Sequence, residues 1–239
     1  MNILLVNDDG ITSPGLKALE DGVRAHGDRV FTVAPANNQS GRGGAVTLTD
    51  VLAIDDIGKD RWSVQGTPAD CVRVALSYLG YQPHLILSGI NLGTNLGEDI
   101  YASGTVGSAR LGVLRGIPSA ALSAASSDWS FTRSLLDRHF HAIVAAIESS
   151  DQVLNVNFPA FDGTRVQHAT LAQGRYQDRV VSAHKDGDRH RVLLRSILQP
   201  KVEPSDPQTD RGAILQGITT LTYLPTALTN SPKALTPLA

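Results

Sequence analysis

The sequence predicts an α/β protein with a doubly wound, mostly parallel sheet, followed by a β-rich C-terminal extension. Three observations carry this. Asn2 to Val6 is an unbroken aliphatic run, the pattern of a strand covered by helices on both faces. Apolar runs then alternate with helical periodicity as far as about residue 158. Beyond Pro159 the texture changes to short runs rich in charge.

The elements follow in order. Ser13-Pro14 suits an N-cap and first helical position, and Leu16, Leu19 and Val23 continue at helical spacing. Arg29 to Ala34 is the second strand, which makes a β-α-β opening with a right-handed crossover. Val46 to Ile54 and Trp62 to Gln65 are expected as strands that can pair in a hairpin. Thr67-Pro68 starts a helix through about Leu79, with Asp70 in the first turn, where a carboxylate is favoured. His84 to Leu87 is a strand, Thr105 to Arg115 a helix, and Ser119 to Leu122 a strand. Phe131 to Ile147 is a long amphipathic helix and Val153 to Asn157 another strand.

In the extension, Arg165 to Leu171, Arg179 to Ala183 and Arg191 to Ile197 are expected as exposed strands. Asp206 to Gln216 is compatible with a short helix and Ile218 to Tyr223 with a last strand; the stretch from Pro225 has no pattern. The expected division is a catalytic core over 1–160 and an extension over 161–239 that packs on the core or on a neighbouring subunit.

Composition narrows the function. The 239 residues are 41% hydrophobic and 18% charged, ordinary for a globular chain. The net charge of −2 gives no basic excess for a nucleic-acid polymer or an anionic membrane. Cys71 is the single cysteine, so no internal disulfide forms, which fits a reducing compartment. The N-terminus lacks the pattern of a signal peptide, and no apolar stretch approaches the ~20 residues of a membrane helix. The expectation is a soluble, cytoplasmic protein.

Open parallel sheets bind ligands beyond the carboxyl ends of their strands. Here those ends are polar, small and rich in glycine. The first delivers Asn7-Asp8-Asp9-Gly10, the second Pro35 to Gly41, the third Ser88 to Gly97, and the next segment Ser103-Gly104-Thr105. Adjacent carboxylates repel, and a hard divalent cation offsets that repulsion. Side chains alternate along a strand, so both reach one ion only where the strand stops; Gly10 permits the turn. Asp-Asp-Gly alone is equally a turn signal. Asn91 and Asn95 carry amides suited to a hard metal or to phosphate. Ser103 to Thr105 offers hydroxyls and free N–H groups at a helix start, although a plain helix cap has the same residues.

Other chemistries lack their motifs. The chain has no phosphate-binding P-loop, no G-x-G-x-x-G after the first strand, no G-x-S-x-G elbow and no H-E-x-x-H pair. Cys71 is expected to pack inside its helix, His139 and His141 to lie on the surface, and the two tryptophans to sit in the core or an interface.

Taken together, ILLVNDDG, VAPANNQSG, GTPADCV (Gly66 to Val72), SGINLGTNLG and SGTVGSA (Ser103 to Ala109) resemble the SurE survival protein family of metal-dependent nucleotidases. NVNFP and TDRGAILQGITTLTYL add weaker matches, in family order, so the resemblance spans nearly the whole chain. It implies a Rossmann-like core and an extension that exchanges between subunits of a homodimer or homotetramer. It implies hydrolysis of nucleoside 5′- and 3′-monophosphates, with exopolyphosphatase as a side activity, and one divalent ion per subunit, Mn²⁺ or Mg²⁺.

The family's metal ligands map onto Asp8, Asp9, Ser40 and Asn91, and its phosphate-binding positions onto Asn95, Ser103, Gly104 and Thr105. Asp8, Asp9 and Asn95 are the expected catalytic residues, acting through direct attack of a metal-activated water. The chain departs from the family pattern at Gln39, Ala102 with Tyr101 before it, and Leu111. A phospho-aspartate route is disfavoured by the N-D-D-G order. A non-catalytic nucleotide- or metal-binding protein and a nucleotide-sugar transferase are the alternatives, the latter weakened by the missing second nucleotide-binding domain.

Overall fold

The computed structural model describes residues 1–200 and 206–225. Five strands open the α/β core: β1 (Asn2–Val6), β2 (Arg29–Pro35), β3 (Ile54–Gly58), β4 (Arg61–Val64) and β5 (Leu85–Leu92). They are followed by β6 (Ser119–Ala124), β7 (Val153–Phe158), β8 (Val166–His168), β9 (Gly174–Asp186), β10 (Arg189–Pro200) and β11 (Thr219–Leu224). The helices are α1 (Pro14–Ala25), α2 (Pro68–Arg73), α3 (Gly104–Leu114), α4 (Trp129–Glu148) and α5 (Asp210–Leu215).

Nine strands form one sheet in the order β3-β4-β2-β1-β5-β6-β7-β11-β8. From β4 through β7 all neighbours are parallel; β3 pairs antiparallel with β4, and β11 antiparallel with β7. The chain runs outward from β1 through β2 and β4, then returns to β1's other side as β5. The switch in strand order therefore lies between β1 and β5, the place where such sheets bind ligands.

Alternation sorts the core. Ile3, Leu5 and Leu87 pack with α1 and α4 on one face. Leu4, Val6 and Ile86 pack with α2 on the other. α3 covers that second face further along, where Val106 and Ala109 meet Ala121, Val153 and Leu224. The caps expected from sequence form: Ser13 Oγ accepts from Leu16 N, and Thr67 with Asp70 makes a capping box. Cys71 is fully buried in α2, where burial and then the charge of Asp70 push its thiol well above the ordinary value. Trp62 and Trp129 pack on the core clusters.

Several expectations are corrected. Val46 to Ala53 is not a strand; β3 begins only at Ile54. The backbone there is engaged elsewhere: Thr47 N donates to Asp70 Oδ1 at 2.9 Å, and Thr47 O accepts from Arg73 Nη1 at 2.6 Å. Leu48 and Val51 are left 83% and 96% exposed. The α2 helix ends at Arg73 and continues as a π-helical turn, Val74–Tyr78. Ser88 to Leu92 is not a loop, because β5 runs through it with an irregularity between Ser88 and Asn91. His139 is buried, not on the surface; its Nε2 lies 2.7 Å from Gly163 O.

In the extension, the first expected strand shrinks to β8, while β9 and β10 are longer than expected and pair as a separate antiparallel ribbon. β8 and β11 instead join the edge of the main sheet. The expected helix contracts to α5, capped by Thr209. The stretch beyond Pro225 lies outside the described residues. Among the described residues no helix is long and apolar enough to cross a membrane.

Candidate active site at the switch point

β1 ends at Val6, and the turn that follows is held by its own first residue. Asn7, fully buried, donates from Nδ2 to Gly10 O at 2.9 Å and to Ser13 Oγ at 2.7 Å. Gly10 has φ +106°, a conformation L side chains rarely adopt. The strand therefore stops before the two carboxylates, and the turn keeps both near the switch point.

Asp8 continues the alternation toward the α2/α3 face and meets the start of α3. Thr105 Oγ1 donates to Asp8 Oδ1. A Cβ on Gly104 would stand 2.9 Å from Asp8 Cβ, so only glycine lets the helix approach this closely. Asp9 is half-buried, and its Oδ2 accepts from Leu92 N at 3.2 Å. Burial raises both carboxyls above the ordinary 3.8; the neighbouring charge of Asp8 raises Asp9 further. Among the described residues neither has a basic side-chain partner.

The other strand ends are stitched to this pair. Gln39 N donates to Asp8 O at 2.7 Å, which brings Ser40 alongside. Gly43 N donates to Ala102 O at 2.9 Å, tying the same loop to the start of α3. Asn91 follows the β5 irregularity, and its Nδ2 turns back to Gly93 O at 2.6 Å. Its other amide atom, the oxygen, is thus the one available to a cation. Ser103 Oγ caps α3 by accepting from Val106 N at 3.1 Å, as the cap reading expects.

Asn95 is the most firmly placed residue of the site. Its N–H donates to Asn157 Oδ1 at 2.9 Å, and its carbonyl accepts from Asn155 Nδ2 at 2.8 Å and Asn157 Nδ2 at 3.2 Å. Its own Nδ2 donates to Ser123 Oγ at 2.7 Å. All four residues are buried.

These groups meet in a cleft of about 620 Å³ whose lining includes Asp8, Ser40, Asn91, Asn95 and Ser103. Asp9 lies beside it, held to Leu92. Gly104 and Thr105 do not line it; they stand behind Asp8 and hold it. Glu98, Asp99, Tyr101, Tyr176 and Ser196 line it as well. No lysine, arginine or histidine lines the cleft among the described residues. No group of three or more His, Cys, Asp and Glu side chains assembles among them either, so the donor set is two carboxylates plus neutral oxygens. That set suits a hard divalent ion.

Sequence reasoning placed Asn7 at a strand end and Asn155 and Asn157 in the NVNFP match but gave no supporting role to them or to Ser123. A signal was present for two of them. In VLNVN, amides recur at period two within an otherwise apolar buried strand, and buried amides need partners.

The family model described as "Survival protein SurE" matches residues 3–178. The chain belongs to the SurE family. It is similar to the 5′-nucleotidase SurE of Methylorubrum extorquens, 35% identical over 245 residues that cover 98% of this chain and 96% of that protein. It is 39% identical to the 5′-nucleotidase SurE of Caulobacter vibrioides over 188 residues, 74% and 72% of the two chains. The crystal structure of the SurE protein from Aquifex aeolicus superposes with a TM-score of 0.80 at 34% identity, covering 96% and 95% of the chains.

Proposed function

We propose that this SurE-family chain is a 5′-nucleotidase, a phosphomonoesterase that releases phosphate from nucleoside monophosphates. The carrying observation is the cleft itself: Asp8 lines it with Asp9 adjacent, both carboxyls are raised by burial, and its other lining groups are neutral oxygens and amides with, among the described residues, no basic side chain to balance them or a phosphate. The curated relatives' names support the activity.

Asp8, Asp9, Ser40 and Asn91 would hold one Mn²⁺ or Mg²⁺ per subunit. Such an ion supplies charge neutralisation and Lewis acidity when bound. Asn95 and Ser103 face the phosphate and stabilise the charge that develops on its oxygens. Thr105 and Gly104 serve it indirectly, by fixing Asp8. Asp9, the more open carboxylate, orients the attacking water and takes its proton as the P–O ester bond opens in line; that proton then passes to the departing oxygen, so the nucleoside leaves as its alcohol and Asp9 is returned to its carboxylate form. Asn95 is placed before substrate arrives, so no reorganisation is needed at that point.

The same cleft accepts 3′-monophosphates on this reading. Exopolyphosphatase action is expected to be minor, because Glu98 and Asp99 would face the additional phosphates. Assembly into a homodimer or homotetramer through the extension is supported by the β9–β10 ribbon. Val180, Val181, Val192, Leu193 and Leu194 are all exposed on it, and a lone two-stranded ribbon is marginal in water. The single cysteine accords with a cytoplasmic setting.

The test is phosphate release from a panel of nucleoside monophosphates by EDTA-stripped protein, before and after Mn²⁺ or Mg²⁺ is restored. Release that returns with the cation supports the reading. Nucleotide binding without release under either ion would replace it with a non-catalytic binding protein. Light scattering of the full chain decides the assembly.

A further inference from the structure

The groups assigned to the phosphate account for only part of the cleft's lining. The remainder has a different chemistry. Tyr101, at the end of the 3-10 turn Gly97–Tyr101, is 72% exposed. Tyr176, on β9, is 43% exposed, and Leu92, at the end of β5, is 54% exposed. All three line the same cleft as Asp8 and Asn95, although they come from three separate elements.

Some rings elsewhere are paired: Phe31 stacks on Tyr81 with centroids 4.3 Å apart, and His168 on Tyr223 at 5.4 Å. Among the described residues no ring pairs with Tyr101 or Tyr176. Exposed aromatic faces beside a polar phosphate end match one ligand shape, a phosphoryl group joined through a polar sugar to a flat apolar ring. Thr94 and Glu98, which also line the cleft, offer a hydroxyl and a carboxylate suited to sugar hydroxyls.

We propose that Tyr101 and Tyr176, with Leu92, form a stacking platform for the nucleobase and set substrate specificity through ring area rather than base identity. This rests on the nucleotidase reading and deepens it. Every base has a π-face, so a platform that stacks without edge contacts tolerates all of them and favours the larger purines. β9 contributes Tyr176, so the extension completes a specificity site whose chemistry lies in the core.

The experiment compares AMP, CMP and ribose 5-phosphate as substrates for the Mn²⁺-loaded full chain, its Tyr101→Ala and Tyr176→Ala variants, and Tyr176→Phe. Ribose 5-phosphate keeps the phosphate and sugar and lacks the base. The expected result is a fall in kcat/KM for AMP about tenfold larger than for ribose 5-phosphate in each alanine variant, expressed in KM, with CMP intermediate. Tyr176→Phe keeps the ring and restores the AMP value, which separates stacking from damage to the ribbon. Equal losses for AMP and ribose 5-phosphate, or no loss for either, would overturn the platform. If the wild-type chain hydrolyses none of these esters, the nucleotidase reading falls by itself. The platform is then judged by calorimetric binding of adenosine, which the alanine variants must weaken; unchanged or absent binding overturns it.

Discussion

The ends of β1 and β7 both feed the cleft, and they are built on opposite terms. At β1, Asp8 and Asp9 are adjacent, raised by burial and, among the described residues, without a basic side-chain partner, so their charge is left over by the fold. At β7, Asn155 and Asn157 clamp both backbone groups of Asn95, and Ser123 takes its side chain. One end stores an electrostatic demand; the other is over-determined. Chemistry needs both, a group that is costly until its ligand arrives and a group that does not move when it does.

The largest expected effect breaks the β1 end. Asp8→Ala should lower kcat for AMP on the order of 10³-fold or more, and it should abolish any rise in Tm on adding Mn²⁺. Retained turnover with a retained Tm shift would move the chemistry away from this strand. Gly104→Ala probes the same end from behind. The added methyl meets Asp8 Cβ at 2.9 Å, so overpacking should cost about 1–3 kcal/mol in denaturant unfolding and reduce activity together with cation affinity.

Asn157→Ala breaks the β7 end. It leaves the buried Asn95 N–H unpaired, which should cost about 1–3 kcal/mol, and it should lower kcat by about a hundredfold through misplacement. Steady-state kinetics alongside urea unfolding separates the two effects. Normal kcat in a destabilised variant would show that the clamp serves stability alone.

The smallest expected effect sharpens the contrast. Asp9→Asn relieves repulsion, so the EDTA-treated variant should melt about 2–4 °C above wild type at pH 7.5 if the relief is near 1 kcal/mol. The sign follows from linkage. Both carboxyls sit above 3.8 when folded, so the folded chain binds protons more tightly than the unfolded one. The stability this adds is full below about pH 4 and is lost as pH rises through the raised values. Asp70, Asp128 and Asp162 are lowered and act with the opposite sign, so the pair is read from the difference: the Tm advantage of EDTA-treated Asp9→Asn over wild type should widen as pH rises through that window. An advantage that shrinks with pH would mean the pair is already compensated.

How much of this was legible depends on range. Asn2–Val6 announced a buried strand because covering on both faces demands an aliphatic run, and Ser13-Pro14 and Thr67-Pro68 announced helices because capping is local. The same local logic failed at Val46 to Ala53. Its apolar residues suggest a strand, but Asp70 and Arg73 capture the Thr47 backbone from a helix more than twenty residues away. It failed again at His139, whose burial depends on Gly163 O from a distant loop.

By itself, the sequence determined the fold class, the family and the glycine-rich strand ends, since periodicity, caps and short motifs act within a few residues. Tertiary structure alone decided that Thr105 holds Asp8 instead of lining the cleft, that Asn155 and Asn157 fix Asn95, and that Tyr176 reaches the cleft from the extension. Those outcomes turn on hydrogen bonds and contacts between residues 60 to 170 positions apart. No local propensity encodes them; only the winding of the sheet brings them within 3 Å or to one cleft.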